Sequence, residues 1–572
     1  MCRSSQQSPI QQNPIMLLFH MALAAVAVYS GLIHLESIYY GHLDLDERPL
    51  YKIPIISELS DEETLLLFVT VIFLLVTYVI RQMNELKLVK LNMPVVPCTL
   101  PFLGTAFQFL TNTPWDLMES WHRKYGSIYT FKLLGRTCVS IEKPEHLKII
   151  LQSKIQNVKK DVHFAYKPFL CILGGGIVTS EGESWMYQRR KISGALKVDI
   201  LETIPGATLG AVQRLMSKLD RCAENGSSID IAEELRHLTL QVISETFLSL
   251  DAQESDTNFA TMYLPIVEEG NKRVWSPERQ YMFFMPSFWK HIFGIQRLNA
   301  YVSKLITDRW ALRNIENKKG SNGDILDKVL DHFEKENPGR SLCSRSVRQL
   351  RDEFKTFMLA GHETSAAMMT WTFFELMRRD EIKRMIEQET ADVFGVKDWK
   401  NGKGKSGNLL NRNDLPSREE LSKLILSEAC LKESLRLYSV VPVVMRQISK
   451  PVQVENHIIP KNTSVTINIQ SVHHNETYWP NPMHYDPSRF TQSKIPDPYT
   501  FIPFIDGPRN CLGQYLALLE SKMVIALITQ RYDFKLVNPD FAREGCDPRH
   551  RYIVPISPKN SLDVTVSKKI LA

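Results

Sequence analysis

The stretch that most constrains this chain is a ten-residue loop near its C-terminus, Phe504-Ile505-Asp506-Gly507-Pro508-Arg509-Asn510-Cys511-Leu512-Gly513. The fold must deliver that loop to the start of a helix, because Gln514 to Ile528 is a helix-forming run with apolar residues at helical spacing. Cys511 therefore stands at a helix N-terminus, where the dipole and the free N–H groups lower a thiol pKa. Gly507 and Gly513 allow a tight bend and close approach to a flat ligand. Arg509 offers a fixed fork for a carboxylate. A lone cysteine before a core helix is ordinarily buried and inert. Five fixed positions in F-x-x-G-x-R-x-C-x-G favour a metal-ligating thiolate instead.

That pattern, with Pro508, Gln514, Ala517 and Glu520 around it, resembles the haem-binding signature of the cytochrome P450 family. Within the family it is most similar to the eukaryotic membrane-bound branch that oxidises fatty acids, sterols and related lipids. The resemblance covers roughly residues 94 to 560. It implies a mostly α fold with small β-sheets (α+β), and haem b whose iron takes Cys511 as axial thiolate. Phe504, Gly507, Arg509 and Gly513 would surround it. Such ligation pushes electron density onto the iron.

A length of 572 residues suggests several domains. The motifs are spread along the chain and must meet at one cofactor, so residues 94–572 read as one haem-thiolate monooxygenase domain behind an N-terminal anchor, 1–93. Composition is ordinary for a globular protein, and a net charge of +6 without an arginine stripe excludes nucleic acid as partner. The nine cysteines are odd in number and scattered, without C-x-x-C, which argues for a reducing compartment and against a disulfide scaffold or zinc site.

The anchor carries two apolar segments, 15–35 and 64–80, read as a transmembrane helix or hairpin. A cleaved signal sequence is the alternative for the first. The linker between them is acidic, while Arg81, Lys87 and Lys90 follow the second, which places the large C-terminal part in the cytosol. The endoplasmic reticulum is the expected membrane, with a plastid membrane as the alternative. Pro94, Pro97, Pro101 and Gly104 form a stiff connector.

Further along, Leu117–Tyr125 reads as a helix, with strands over 128–133 and 137–141. Trp185 and Arg189 lie at i and i+4 and share a helix face. An exposed cation–π pair is one reading of them; the resemblance makes them haem contacts, suited to a propionate. Arg190 and Lys191 point elsewhere, to an acidic electron donor or to solvent. Residues 200–335 offer no chemical motif. Ser346 to Arg379 reads as one long helix containing Ala360-Gly361-His362-Glu363-Thr364-Ser365. A local break there would leave room for dioxygen and water. The resemblance makes Thr364 and Glu363 a catalytic proton relay. His362-Glu363 is no zinc helix, because position 366 is Ala. Some similar ω-hydroxylases carry, where this chain has Ala360, a Glu that ties haem covalently; covalent haem is not expected here. Asn401 to Gly407 reads as a flexible basic loop.

Leu424 to Leu437 is a helix bearing Glu433 and Arg436, and Arg489 follows downstream. Alone, the first two make a surface ion pair worth a few tenths of a kcal/mol, roughly 0.2–0.5. With Arg489 they match the family's Glu–Arg–Arg network, and burial is expected. Arg446, in strand-like sequence after Pro442, resembles another propionate contact. Val443 and Val444 are expected in the substrate pocket, and His473 and His474 in a hydrogen-bonded loop.

The resemblance implies a monooxygenase that hydroxylates or epoxidises an apolar, lipid-type substrate. No flavin or nicotinamide domain is recognisable, so NADPH acts indirectly, through a cytochrome P450 reductase, with cytochrome b5 as a second donor. Two alternatives stay open: a haem-thiolate isomerase or dehydratase of lipid peroxides, and a non-catalytic membrane haem protein.

Overall fold

The computed structural model describes residues 92–97, 103–196, 203–250, 254–280, 282–316, 324–336, 341–394, 417–491, 497–543, 549, 555–558 and 561–569. The two N-terminal apolar segments and the 401–407 loop lie outside these residues. Among the described residues, no helix is long and apolar enough to cross a membrane.

Helices dominate, as expected for an α+β chain with small sheets. Those that line the site or the groove beside it are α1 (Gly182–Ala195), α2 (Ile231–Leu248), α3 (Ile325–Glu336), α4 (Ser344–Met377), α5 (Ile425–Tyr438) and α6 (Gln514–Arg531). The main sheet contains β1 (Ile128–Leu133), β2 (Arg136–Ile141), β3 (Val158–Lys160), β4 (Val443–Ile448) and β5 (Ser464–Asn468), in the order β1-β2-β5-β4-β3. β2 and β5 are parallel, Cys138 opposite Ser464, while β4 runs antiparallel to both β5 and β3. Ser228–Asp230, Asp563–Lys568 and Tyr532–Leu536 form a second sheet.

The described residues divide into two compact units. In the smaller, residues 97, 103–107 and 131–137, Thr105 Oγ1 donates to Lys132 O at 2.8 Å. The larger holds everything discussed below.

The long helix is α4, its 34 residues spanning two residues earlier at each end than the sequence suggests. Its second half is almost wholly buried and packs with α5 and α6 in one apolar core. Threonines are poor helix formers in such a place unless their hydroxyls are satisfied. Thr356, Thr364, Thr370 and Thr372 each donate to the carbonyl four residues back, at 2.7 to 2.9 Å. α2 packs against α4, and Gly361 permits it: a Cβ there would lie 2.8 Å from Ile243 Cδ1. The expected break around 360–365 is absent as secondary structure, because Thr364's hydroxyl supplements the helical ladder without interrupting it.

Candidate active site: a cysteine loop facing a long helix

The loop before α6 folds back on itself. Cys511 N–H donates to Phe504 O at 2.9 Å, and Asn510 N–H to Gly507 O at 3.0 Å. Gly507 has φ +79°, and a Cβ there would sit 2.2 Å from Leu151 O. Only glycine meets both demands. Ile505, at φ +58°, is a β-branched residue in the left-handed region, a strained conformation of the kind that clusters at functional sites. Gly513 differs from the expectation. Its φ is −89°, so it makes no special bend; nothing lies within 4 Å of where its Cβ would be. Its contribution is open space.

Cys511 lines a cavity of ≈380 Å³ between this loop and the middle of α4. Its side chain is open to the cavity, but the protein packed around it still desolvates the thiol and pushes its pKa up, against the Gly513 and Gln514 N–H groups and the charges of Arg189 and Lys160. The lowering expected from the helix N-terminus is present but outweighed. A stable thiolate therefore needs a closer cation, which a bound metal ion supplies.

On the facing wall, Ala360, Gly361, Thr364 and Ser365 line the cavity. Thr364 Oγ1 spends its proton on Ala360 O at 2.7 Å, which leaves the oxygen as an acceptor. Ser365 Oγ is buried without a hydrogen-bond partner. Glu363 does not line the cavity, contrary to expectation. Its carboxylate accepts from Arg236 Nη2 at 2.7 Å and lies 3.3 Å from His362 Nε2. Burial raises its pKa, but His362 and Arg236 outweigh that and hold it at about 2. The reason is helical geometry: Thr364 and Glu363 are adjacent and point about 100° apart, so Glu363 faces α2.

Trp185, Arg189, Phe504 and Arg509 all line the cavity. Arg189 is committed to Asn510, donating to its carbonyl at 2.7 Å and to its side-chain oxygen, so it clamps the cysteine loop. The cation over Trp185 is Arg509, 4.0 Å from the ring centroid, not Arg189. Arg509 also donates to Ser180 O at 3.0 Å and to Glu181 at 2.7 Å. Arg446 lies behind the lining, buried, its Nη1 on Met445 O at 3.0 Å.

Sequence reasoning missed Lys160, which lines the cavity and lies directly opposite Arg446 across the β3–β4 pair. Like charges facing each other in a sheet are destabilising unless an anion answers them. Burial, then the Arg446 and Arg509 charges, push the Lys160 pKa down to about 7, opposed by Glu181. Burial also brings Arg509 down to about 10, against Glu181. This edge of the cavity thus carries surplus buried positive charge beside an accessible thiol and a glycine-sized gap. That donor set fits a flat iron porphyrin with two propionates. Among the described residues, no group of three or more His, Cys, Asp or Glu could hold a metal ion.

The remaining expected residues are placed as follows. Glu433 and Arg436 are both fully buried, with Arg436 Nε and Nη2 on the carboxylate at 2.8 and 2.7 Å. Arg489 Nε stands 3.4 Å from Glu433 Oε1, completing the trio. Val443 and Val444 do not reach the cavity; Val440 and Val441 do. His473 closes a short helix, Ile469–His473, and hydrogen-bonds Ser439 and Ile502, while His474 meets Glu119 and Leu437. Ile243 and Phe247 of α2, from the stretch without motifs, also line the cavity.

Comparison with known proteins points to one family. A family model described as Cytochrome P450 matches residues 94–557. Cytochrome P450 4c21 of Blattella germanica is 28% identical over 82% of this chain and 92% of its own length. Cytochrome P450 4A6 of Oryctolagus cuniculus is 28% identical over 76% of this chain and 84% of its own.

Proposed function

The chain belongs to the cytochrome P450 family and is a monooxygenase of it; from that premise we propose that its substrate is an apolar, lipid-type molecule, a fatty acid, sterol or isoprenoid, which it hydroxylates or epoxidises. The observation that carries this reading is the sidedness of the cavity. Its charged lining residues, Lys160, Arg189 and Arg509, belong to the cluster around the cysteine loop. The facing wall is built from residues such as Ile243, Phe247, Phe357, Val440 and Ile469, with only Thr356, Thr364 and Ser365 bringing hydroxyls. A substrate without charge loses nothing by entering such a wall, and an ion would.

Cys511 Sγ would hold the haem iron, and Lys160, Arg446 and Arg509 would answer the propionates, with Trp185 packed beneath Arg509. The haem, when bound, supplies the activation of dioxygen. The chain's own part is to exclude bulk water and govern protons. Thr364 Oγ1, its proton given to Ala360 O, accepts from a water in the cavity and fixes it. Glu363 is ionised and turned to α2, so it would have to leave Arg236 and swing toward the cavity before it could carry a proton to that water.

Electrons would come from NADPH through a separate reductase, which the exposed Arg190 on α1 suits as a docking contact for an acidic donor. Membrane attachment through 15–35 and 64–80 is supported by the exposed Phe283, Phe284, Trp289 and Phe293, an aromatic patch of interfacial character.

The test is reconstitution of purified holoprotein with reductase and NADPH, preceded by a binding-spectrum screen across fatty acids, sterols and carotenoids. At least one lipid class should shift the haem spectrum and consume NADPH and O2 in step with product. Binding confined to polar or charged molecules would sink the substrate assignment. Cys511→Ala should abolish the long-wavelength band of the reduced carbon monoxide complex.

A further inference from the structure

A groove of ≈300 Å³ shares a wall with the cavity, bounded by α1, α3 and the first turns of α4. The shared wall is the segment 174–178, which presents Ile177 and Val178 to the cavity. Three groove-lining side chains hold it. Glu353 Oε2 accepts from Ile177 N–H at 3.0 Å, Gln188 Nε2 donates to Gly175 O at 3.0 Å, and Gln349 Nε2 reaches the same carbonyl at 3.3 Å. Gln349 also donates to Glu353 Oε1 at 3.1 Å. The polar floor is therefore already engaged with itself.

What the groove has left to offer is apolar surface and one cation. Ile192, Val329, Phe333 and Leu350 supply the surface. Lys191 at the rim is neutralised by Glu336 at 2.6 Å. Arg345 lines the groove, is exposed, and makes no ion pair among the described residues. Burial raises the Glu353 pKa to about 8, so the floor adds no negative charge at neutral pH.

We propose that this groove is a second binding site, for a small amphipathic carboxylate, with its chain against Val329, Phe333 and Leu350 and its head at Arg345, and that filling it stiffens the cavity wall. The site is distinct from the cavity, but the coupling rests on the monooxygenase reading. A ligand there packs on the side chains that make the Glu353–Ile177 and Gln188–Gly175 bonds and restricts their motion, which holds the bonds in place. Segment 174–178 then loses less freedom when a substrate later packs on its other side. That is positive coupling between the two sites.

The test uses full-length holoprotein whose cavity is first saturated with 4-phenylimidazole. The azole's spectral shift reports on the haem site by itself, so its absence would count against the monooxygenase reading and not against the groove. Dodecanoate is then titrated by calorimetry. One saturable site is expected, weakened about tenfold by Leu350→Trp, which fills the groove. Arg345→Glu, at an exposed position that folding tolerates, should weaken it by a similar factor, and dodecanol should bind worse than dodecanoate. Hydrogen exchange at the 174–178 amides should slow on binding. Dodecanoate binding unchanged by both substitutions, equal binding of dodecanol, or unaltered exchange at 174–178 would each overturn the proposal.

Discussion

Arg236 on α2 and Glu363 on α4 form a partly buried ion pair at 2.7 Å, one residue before the cavity-lining Thr364. The carboxylate's pKa is held at about 2 against an ordinary 4.5. A depressed value means that the pair's stabilisation is complete above pH about 4.5 and lost as pH falls toward 2. Arg236→Ala should destabilise the protein at pH 7 by about 1–3 kcal/mol, the usual cost of leaving a buried group unsatisfied. Urea midpoints from pH 7 to pH 3 check this: the gap to wild type should narrow on acidification, and a constant gap would refute the assignment.

Thr364 offers an acceptor to the cavity, because its own proton is on Ala360 O. Thr364→Ala removes the acceptor and leaves the helix intact. NADPH oxidation should continue while product falls and hydrogen peroxide rises. Thr364→Ser should retain most of the coupling. Measured product per NADPH decides it, and a fully coupled Thr364→Ala would end the role given to this hydroxyl.

Much of this site was legible in the sequence where identity at a position is dictated by local backbone or fixed spacing. Gly507 and Cys511 could be read because a left-handed turn against Leu151 admits only glycine and the next helix starts immediately after. The span of α4 could be read from its composition, and the Glu433–Arg436 pair from its i, i+3 spacing. What could not be read depends on contacts between distant segments. Arg189 is 321 residues from the Asn510 it grips. Arg236 is 127 residues from Glu363. Lys160 becomes a cavity residue only because β3 pairs with β4, and a Val-Lys-Lys triplet carries no signal of that register. Val440 and Val441 displaced Val443 and Val444 because the strand begins at Val443, so the latter pair is spent on the sheet.

Gly507→Ala should be far more damaging than its size suggests. The left-handed φ of +79° alone costs a non-glycine residue about 1–2 kcal/mol. The added Cβ meets the backbone oxygen of Leu151 at 2.2 Å, which no rotamer change relieves. The cysteine loop must shift, so haem retention should fall more steeply than helical content. The ratio of haem to protein, read beside far-ultraviolet circular dichroism, separates the two. Full haem occupancy in the alanine variant would show that the loop tolerates the displacement.

Glu433→Ala would strand Arg436, which is fully buried and donates two of its hydrogen bonds to that carboxylate. An uncompensated buried charge costs about 3–5 kcal/mol. Glu433→Gln keeps an acceptor and should lose less. Thermal midpoints of the two variants should therefore fall in the order wild type, Gln, Ala. An alanine variant as stable as wild type would mean that water reaches Arg436.

Glu353 makes the opposite pH prediction from Glu363. Its pKa is raised from 4.5 to about 8, chiefly by burial, with the Ile177 N–H and Gln349 pulling it down and Asp352 pushing it further up. Between those two values the folded chain keeps a proton that the unfolded chain has lost, so the stability this group contributes is complete below about 4.5 and falls as pH rises to about 8. Glu353→Gln carries the same neutral head at every pH. It should match wild type near pH 5 and become the more stable protein as pH rises, by on the order of 1 kcal/mol per pH unit. Urea midpoints of the pair at intervals between pH 5 and 9 supply the comparison. A gap independent of pH would mean that Glu353 is ionised in the folded state, and the wall between groove and cavity would then be held by a charge and not by a neutral acid.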